Sequence, residues 1–104
     1  MALTKAFRET VCERAQRDAA FRKALLTEAM NAYLAGDEAS GKAVLRDLIN
    51  ATIGFEGLAA ELQIPAKSLH RMLGRNGNPS VANFFAILGV LQRRSEVKLT
   101  VRAA

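Results

Sequence analysis

The stretch FEGLAAELQIPAKSLHRMLG, residues 55–74, decides the fold of this chain. The spacing of its apolar residues predicts two short helices, over residues 55–62 and 66–73. Gln63-Ile64-Pro65 interrupts them, because a proline disfavours helix at the residue before it and itself suits the start of a helix. Two short helices joined by such a tight turn must cross steeply and share a small core.

That geometry demands apolar side chains at a few fixed positions and a small residue where the helices approach most closely. Ala59 is the small residue, and the predicted core members are Leu58, Leu62, Ile64, Leu69 and Met72. The remaining positions of the second helix are then expected to point outward: Ala66, Lys67, Ser68, His70 and Arg71.

The outward side chains have the chemistry that DNA requires. Lysine and arginine contact guanine edges or phosphates, serine donates or accepts, and a helix N-terminus can hold a phosphate. In a helix-turn-helix the second helix enters the major groove while the first crosses the backbone. The predicted DNA-contacting residues of the helix are therefore Lys67, Ser68, His70 and Arg71, although a lone histidine at such a position fits a DNA contact and no contact equally well.

The residues that follow the second helix extend this surface. Residues 74–77 predict a loop, after which Asn78 is expected to cap a helix with Pro79 at its first position. Side chains around such a helix start are suited to binding phosphate, and the predicted phosphate contacts are Arg75, Asn76, Asn78 and Ser80.

Four motifs together resemble a known family. LAAEL (58–62), IP (64–65), SLHRML (68–73) and GNPS (77–80) look like the lambda-repressor/Cro-type (Xre) regulators, and more closely like the antidote (antitoxin) proteins of bacterial and prophage addiction modules. The GNPS loop and a short strand after the last helix are typical of those antidotes. The resemblance implies a lambda-repressor-like helix-turn-helix domain, repression of an operator, and a cognate toxin as a protein partner.

One turn position departs from that family. The residue before Ile64 is often glycine there, because it takes a left-handed backbone conformation, and in this chain it is Gln63. A non-glycine residue in that conformation costs roughly 1 kcal/mol, which a folded domain tolerates.

The rest of the chain predicts an all-α fold of five or six helices with a short C-terminal β-strand. Helices are expected over about residues 3–17, 19–35, 38–52 and 79–92 as well, with Asp18 as a cap and Gly36 as a helix end. EVKLTVR, residues 96–102, alternates polar and apolar side chains, which is strand periodicity. A single strand lacks a partner in this chain, so it must pair with a second subunit or stay frayed.

Within one compact domain, three regions are expected to have different tasks. Residues 1–54 form N-terminal helices that supply core, dimer contacts or a partner surface; residues 55–94 form the helix-turn-helix region; and residues 95–104 form the strand.

Charge is distributed unevenly. The formal net charge is +5 with a pI near 10.0. Residues 1–61 hold eight Lys/Arg and nine Asp/Glu, a net of −1, whereas residues 62–104 hold seven Lys/Arg and one Asp/Glu, a net of +6. A basic segment joined to a neutral one indicates a surface that binds a polyanion. On charge alone, a solvated basic face without a partner is an equal alternative.

Arg93 and Arg94 lie near the end of the last predicted helix. Their charges either interact favourably with the helix dipole or contact phosphate.

Several other classes are disfavoured. Cys12 is the single cysteine, so neither an internal disulfide nor a cysteine metal site is expected, and no cofactor or metal is predicted. No apolar run approaches the roughly 20 residues of a membrane span, and no secretory leader is recognised, which predicts a cytoplasmic protein. GDEASGKA, residues 36–43, nearly matches a phosphate-binding loop, but it ends in Ala43, follows a helix and carries two acids. No catalytic spacing stands out, so the chain is predicted not to be an enzyme.

The sequence thus predicts a sequence-specific DNA-binding transcriptional regulator, and with the resemblance an antitoxin-like repressor. A homodimer is expected, because one short recognition helix covers only a few base pairs and useful affinity needs two half-sites. Two alternatives stay open: a stand-alone prophage-type repressor, and a helical protein-interaction adaptor that does not bind DNA.

Overall fold

The computed structural model of the protein describes residues 5–104. Six helices make up this part of the chain: α1 (Lys5–Arg17), α2 (Ala19–Leu34), α3 (Glu38–Ala51), α4 (Gly54–Leu62), α5 (Ala66–Met72) and α6 (Val81–Ser95). The all-α class and the larger of the two expected helix counts are therefore confirmed. Residues 3 and 4, which belong to the predicted first helix, lie outside the described residues.

Helix starts follow from capping side chains. The Asp18 carboxylate accepts a hydrogen bond from the Phe21 amide at 3.1 Å, and the Asp37 carboxylate accepts one from the Ser40 amide at 3.1 Å. Each satisfies a backbone N–H that has no partner within its helix. At the other end of α2, Gly36 takes a positive φ of 82°, which a glycine adopts without strain.

The start of α6 corrects a prediction. Asn78 was expected to cap this helix, but the cap is Ser80, whose Oγ accepts a hydrogen bond from the Asn83 amide at 3.1 Å. Asn78 and Pro79 lie in the preceding loop. Asparagine and serine are both good capping residues, so the local sequence offers two possible starts two residues apart, and the helix begins after the later one.

The C-terminal segment corrects a second prediction. No strand occurs anywhere in residues 5–104, and the chain after α6 is irregular. A strand requires a neighbour to hydrogen-bond with, and a single copy of this chain supplies none. The Leu99 amide donates instead to the Gln92 side-chain oxygen at 2.8 Å, and Val97 and Leu99 pack half-buried against the core. Val101 is fully exposed.

One hydrophobic cluster joins the N-terminal helices to the later ones. α3 packs against α1, α2 and α4, and α6 packs against α2 and α4. The cluster includes these fully buried side chains: Leu26, Leu45, Leu48, Ile49, Leu58, Leu69, Leu73, Ile87, Val90 and Leu91. Leu58 of α4 and Leu69 of α5 thus belong to the same hydrophobic core as the N-terminal helices.

Candidate nucleic-acid interface

The turn between α4 and α5 has the left-handed residue that the sequence required. Gln63 lies at φ 56° and ψ 42°, and the Ile64 amide donates to the Ala59 carbonyl at 3.2 Å. Pro65 then places α5 to begin at Ala66. Residues 63–65 thus join two short helices through a tight turn, as expected from the sequence.

The predicted core of the two helices is present. Leu58 and Leu69 are fully buried, and the other predicted members are partly buried against the same cluster: Ala59, Leu62, Ile64 and Met72. Leu73 is also fully buried and was not placed in the core by the sequence argument. This packing fixes which side of α5 faces solvent.

The solvent side of α5 presents cations. Lys67, His70 and Arg71 are exposed, and Ser68 is half-buried. Neither Lys67 nor Arg71 forms an ion pair with any residue in the described part of the chain. Two positive side chains one helical turn apart are therefore available on this surface for a negatively charged partner.

His70 is held by a neighbour from α4. Its imidazole stacks on the ring of Phe55 with centroids 4.0 Å apart and planes 19° apart. Phe55 is itself buried, so it provides a fixed platform. The stacked face of the imidazole is covered, and the ring nitrogens remain at the edge, where hydrogen bonds are made.

The other predicted contact residues lie in the loop between α5 and α6, which directly follows this surface along the chain. Arg75, Asn76 and Asn78 are exposed in it. Ser80 is exposed as well, but its Oγ already accepts the capping hydrogen bond from Asn83. Of the four predicted phosphate contacts, three therefore have side chains without a hydrogen-bond or ion-pair partner in residues 5–104, while the Ser80 oxygen also holds the helix start.

Two cations of α3 contact this loop, and the sequence argument missed them. Lys42 is only 3% exposed, and its Nζ donates to the Gly77 carbonyl at 2.7 Å. The Arg46 guanidinium, one turn further along α3, donates to the Leu73 carbonyl. Lys42 precedes Leu45 and Ile49 at helical spacing on the apolar face of α3, and a lysine in such a stripe was the available signal.

Arg93 and Arg94 are paired with an acid. Their guanidinium groups lie 2.9 and 3.3 Å from the two carboxylate oxygens of Glu61 on α4. The hydrogen bond from Arg93, followed by that from Arg94, lowers the pKa of the Glu61 carboxyl below its usual range. The pairing joins α4 to α6 and uses part of the positive charge that phosphate would otherwise attract.

Neither a metal-binding cluster nor a membrane-spanning helix occurs in residues 5–104. Across residues 5–104, no three His, Cys, Asp or Glu side chains gather in a way that would hold a metal ion. Over the same range, every helix is too short or too polar to cross a membrane.

Comparison of the chain with protein-family models, with curated proteins and with solved structures finds no match in any of the three.

Proposed function

We propose that this protein is a sequence-specific DNA-binding transcriptional regulator that places α5 in the major groove. The observation that carries the proposal is the unpaired cationic face of α5, on a helix that a left-handed turn sets against α4. Lys67 and Arg71 are exposed on that face without an acidic partner in residues 5–104. Arginine and lysine are the side chains that most often read guanine edges.

The loop after α5 supplies contacts of another kind. Arg75, Asn76 and Asn78 are exposed where the chain leaves α5, and no acid lies between Leu62 and Ser95. Side chains of these types bind phosphate oxygens, which fixes the register of a protein on the duplex without reading its sequence. In this proposal α5 provides the sequence preference and the loop provides the placement.

A homodimer is part of the proposal. α5 has seven residues and is about 10 Å long, so it reaches only a few base pairs. A groove between α2, α6 and the C-terminal segment is lined by apolar residues that include Leu34, Phe85 and Val101, all exposed. If two copies of the chain packed together through this apolar surface, its burial would stabilise a dimer that presents two copies of α5.

The antitoxin-like role rests on the resemblance of the LAAEL, IP, SLHRML and GNPS motifs. Under this proposal the protein is cytoplasmic, represses the promoter of its own operon, and binds a cognate toxin through the helices that have no DNA contact, α1 to α3. Co-purification of this protein with the product of an adjacent small reading frame would support it. A stand-alone repressor would bind operator DNA and no such product.

Fluorescence anisotropy against DNA from upstream of the protein's own gene tests DNA binding, with a scrambled duplex for comparison, at low and moderate salt. Lys67→Ala/Arg71→Ala should weaken binding to the upstream DNA by about tenfold or more and reduce the salt dependence by about two counterions. Arg17→Ala/Lys23→Ala removes two equally exposed cations from α1 and α2 and should have no such effect.

Equal, weak binding of both duplexes that the α5 variant leaves unchanged would contradict the proposal. The exposed apolar residues Leu34, Val81, Phe85 and Val101 would then favour a helical adaptor that binds protein. The salt dependence of the binding affinity separates the two possibilities. The affinity of an apolar protein interface changes little with salt concentration, whereas affinity that depends on phosphate contacts falls steeply.

A further inference from the structure

The loop from Leu73 to Ser80 is held at two points by cations from α3. The Lys42 Nζ donates to the Gly77 carbonyl at 2.7 Å, and the Arg46 guanidinium donates to the Leu73 carbonyl. These carbonyls bracket the exposed residues Arg75 and Asn76. The two anchor points therefore enclose two of the four residues to which phosphate contacts were assigned, whereas Asn78 and Ser80 follow the second anchor.

Lys42 is almost completely removed from solvent, which is unusual for a charged side chain. It is 3% exposed, and within residues 5–104 its side chain makes one hydrogen bond, the one to Gly77, although a charged group is costly to bury without a compensating partner. A methionine or leucine would fill the same space more cheaply. We therefore interpret the hydrogen bond from the Lys42 ammonium to the Gly77 carbonyl as the reason that a lysine occupies this buried position.

The loop lies tightly against the end of α5. A Cβ at Gly77 would overlap the carbonyl oxygen of Arg71, and the Gly74 amide donates to that same carbonyl at 3.2 Å. The Gly77 amide reaches the Gly74 carbonyl only at 3.4 Å, which is a weak hydrogen bond. Since the loop's own hydrogen bonds are few and long, its shape depends on contacts from outside it.

We propose that Lys42 and Arg46 are positioning residues that clamp the Leu73–Gly77 loop and so set where Arg75 and Asn76 meet the DNA backbone. This inference rests on the proposed DNA-binding function. In this proposal neither cation contacts DNA: Lys42 is buried, and the half-buried Arg46 guanidinium donates from Nη1 to the Leu73 carbonyl. They act by keeping phosphate contacts in one geometry, which favours the operator complex over loosely placed non-specific complexes.

Lys42→Met tests the clamp, because methionine keeps much of the apolar stem and removes the donor. Without DNA, exchange of the hydrogen-bonded Gly74 and Gly77 amides should become about tenfold faster or more, while the unfolding midpoint moves little. With DNA, affinity for the upstream duplex should fall about tenfold while affinity for the scrambled duplex stays unchanged. If Lys42 only stabilised the fold, the variant would contain less folded protein, and the apparent affinities for both duplexes would fall by the same factor.

Two further variants keep the test decisive. Arg46→Met removes the second anchor and should give the same pattern as Lys42→Met. It therefore provides the test if Lys42→Met folds poorly. Lys23→Met, a matched change of an exposed lysine on α2, should change neither exchange nor affinity.

Unchanged loop exchange in both clamp variants would overturn the inference, and so would faster exchange with an undiminished preference for the upstream duplex. If the wild-type protein binds no DNA, the proposed function fails, and the exchange measurement still decides whether the clamp exists.

Discussion

The imidazole of His70 lies flat on the ring of Phe55, with ring centroids 4.0 Å apart. This contact connects the exposed face of α5 to the start of α4, at the point where α4 leaves the turn after α3. An aromatic stack of this kind contributes about 0.5–1.5 kcal/mol beyond the area that it buries. His70 therefore has a structural task whether or not its nitrogens contact DNA.

Two substitutions at His70 separate these tasks. His70→Ala removes the stack, and the free energy of unfolding should fall by about 1 kcal/mol, measured by urea denaturation. His70→Phe retains an aromatic partner for Phe55 and should keep most of that stability while removing both nitrogens. If the phenylalanine variant binds the upstream duplex as tightly as the wild type, the imidazole nitrogens make no useful DNA contact.

The left-handed residue of the turn offers a stabilising substitution. Gln63 lies at φ 56°, a conformation that costs an L-residue with a Cβ roughly 1 kcal/mol and a glycine almost nothing. Gln63→Gly should raise the thermal midpoint by roughly 2–4 °C, after some loss to the greater entropy of glycine in the unfolded chain. Ala60→Gly, at an exposed position inside α4, should lower it by a similar amount. A lower midpoint in Gln63→Gly would show that the glutamine side chain stabilises the turn.

The features that the sequence predicted correctly are those set by neighbouring residues. Gly36 ends α2, Asp18 caps it, and Gln63 takes the left-handed conformation, because each depends on backbone conformation within a few positions. The exposure of Lys67 and Arg71 followed from the apolar spacing of α5 in the same way.

The features that were missed depend on distant residues. Lys42 and Gly77 are 35 positions apart, and no periodicity within either segment predicts that they meet. The choice of Ser80 over Asn78 as the cap involves the same loop, whose path is fixed by contacts with α3 and α5. The alternation in residues 96–102 is real, but a strand is a property of two segments, and one copy of the chain supplies only one.

The cap of α2 should give the protein a specific response to acid. The hydrogen bond from the Phe21 amide, with a smaller contribution from Arg14, lowers the pKa of the Asp18 carboxyl below its usual range. A carboxyl whose pKa is lower in the folded state stabilises the fold above its unfolded pKa of about 4, and this stabilisation is lost as the pH falls through the folded value. Asp18→Asn should therefore reduce stability at neutral pH and flatten the decline in thermal midpoint below about pH 4.

Glu28→Gln is the matched control for that experiment, since it neutralises an exposed carboxylate of α2 that caps no helix. Its acid response should be that of the wild type. A titration of the Asp18 carboxyl by NMR that gave an ordinary aspartate pKa would contradict the assignment directly.

The exposed Val101 allows the proposed dimer surface to be tested without damage to the monomer. Its side chain is fully exposed in the single chain and lines the groove between α2 and α6, so Val101→Asp should leave the unfolding midpoint unchanged. In a symmetric dimer the substitution acts twice, and since burying one valine contributes about 1.5–3 kcal/mol, dimer dissociation should increase by about tenfold or more. Ala103→Asp introduces the same charge two residues later at another exposed position and should have a much smaller effect. Sedimentation equilibrium at several concentrations measures both, and a Val101→Asp protein that dimerises as tightly as the wild type would place the dimer contact elsewhere on the molecule.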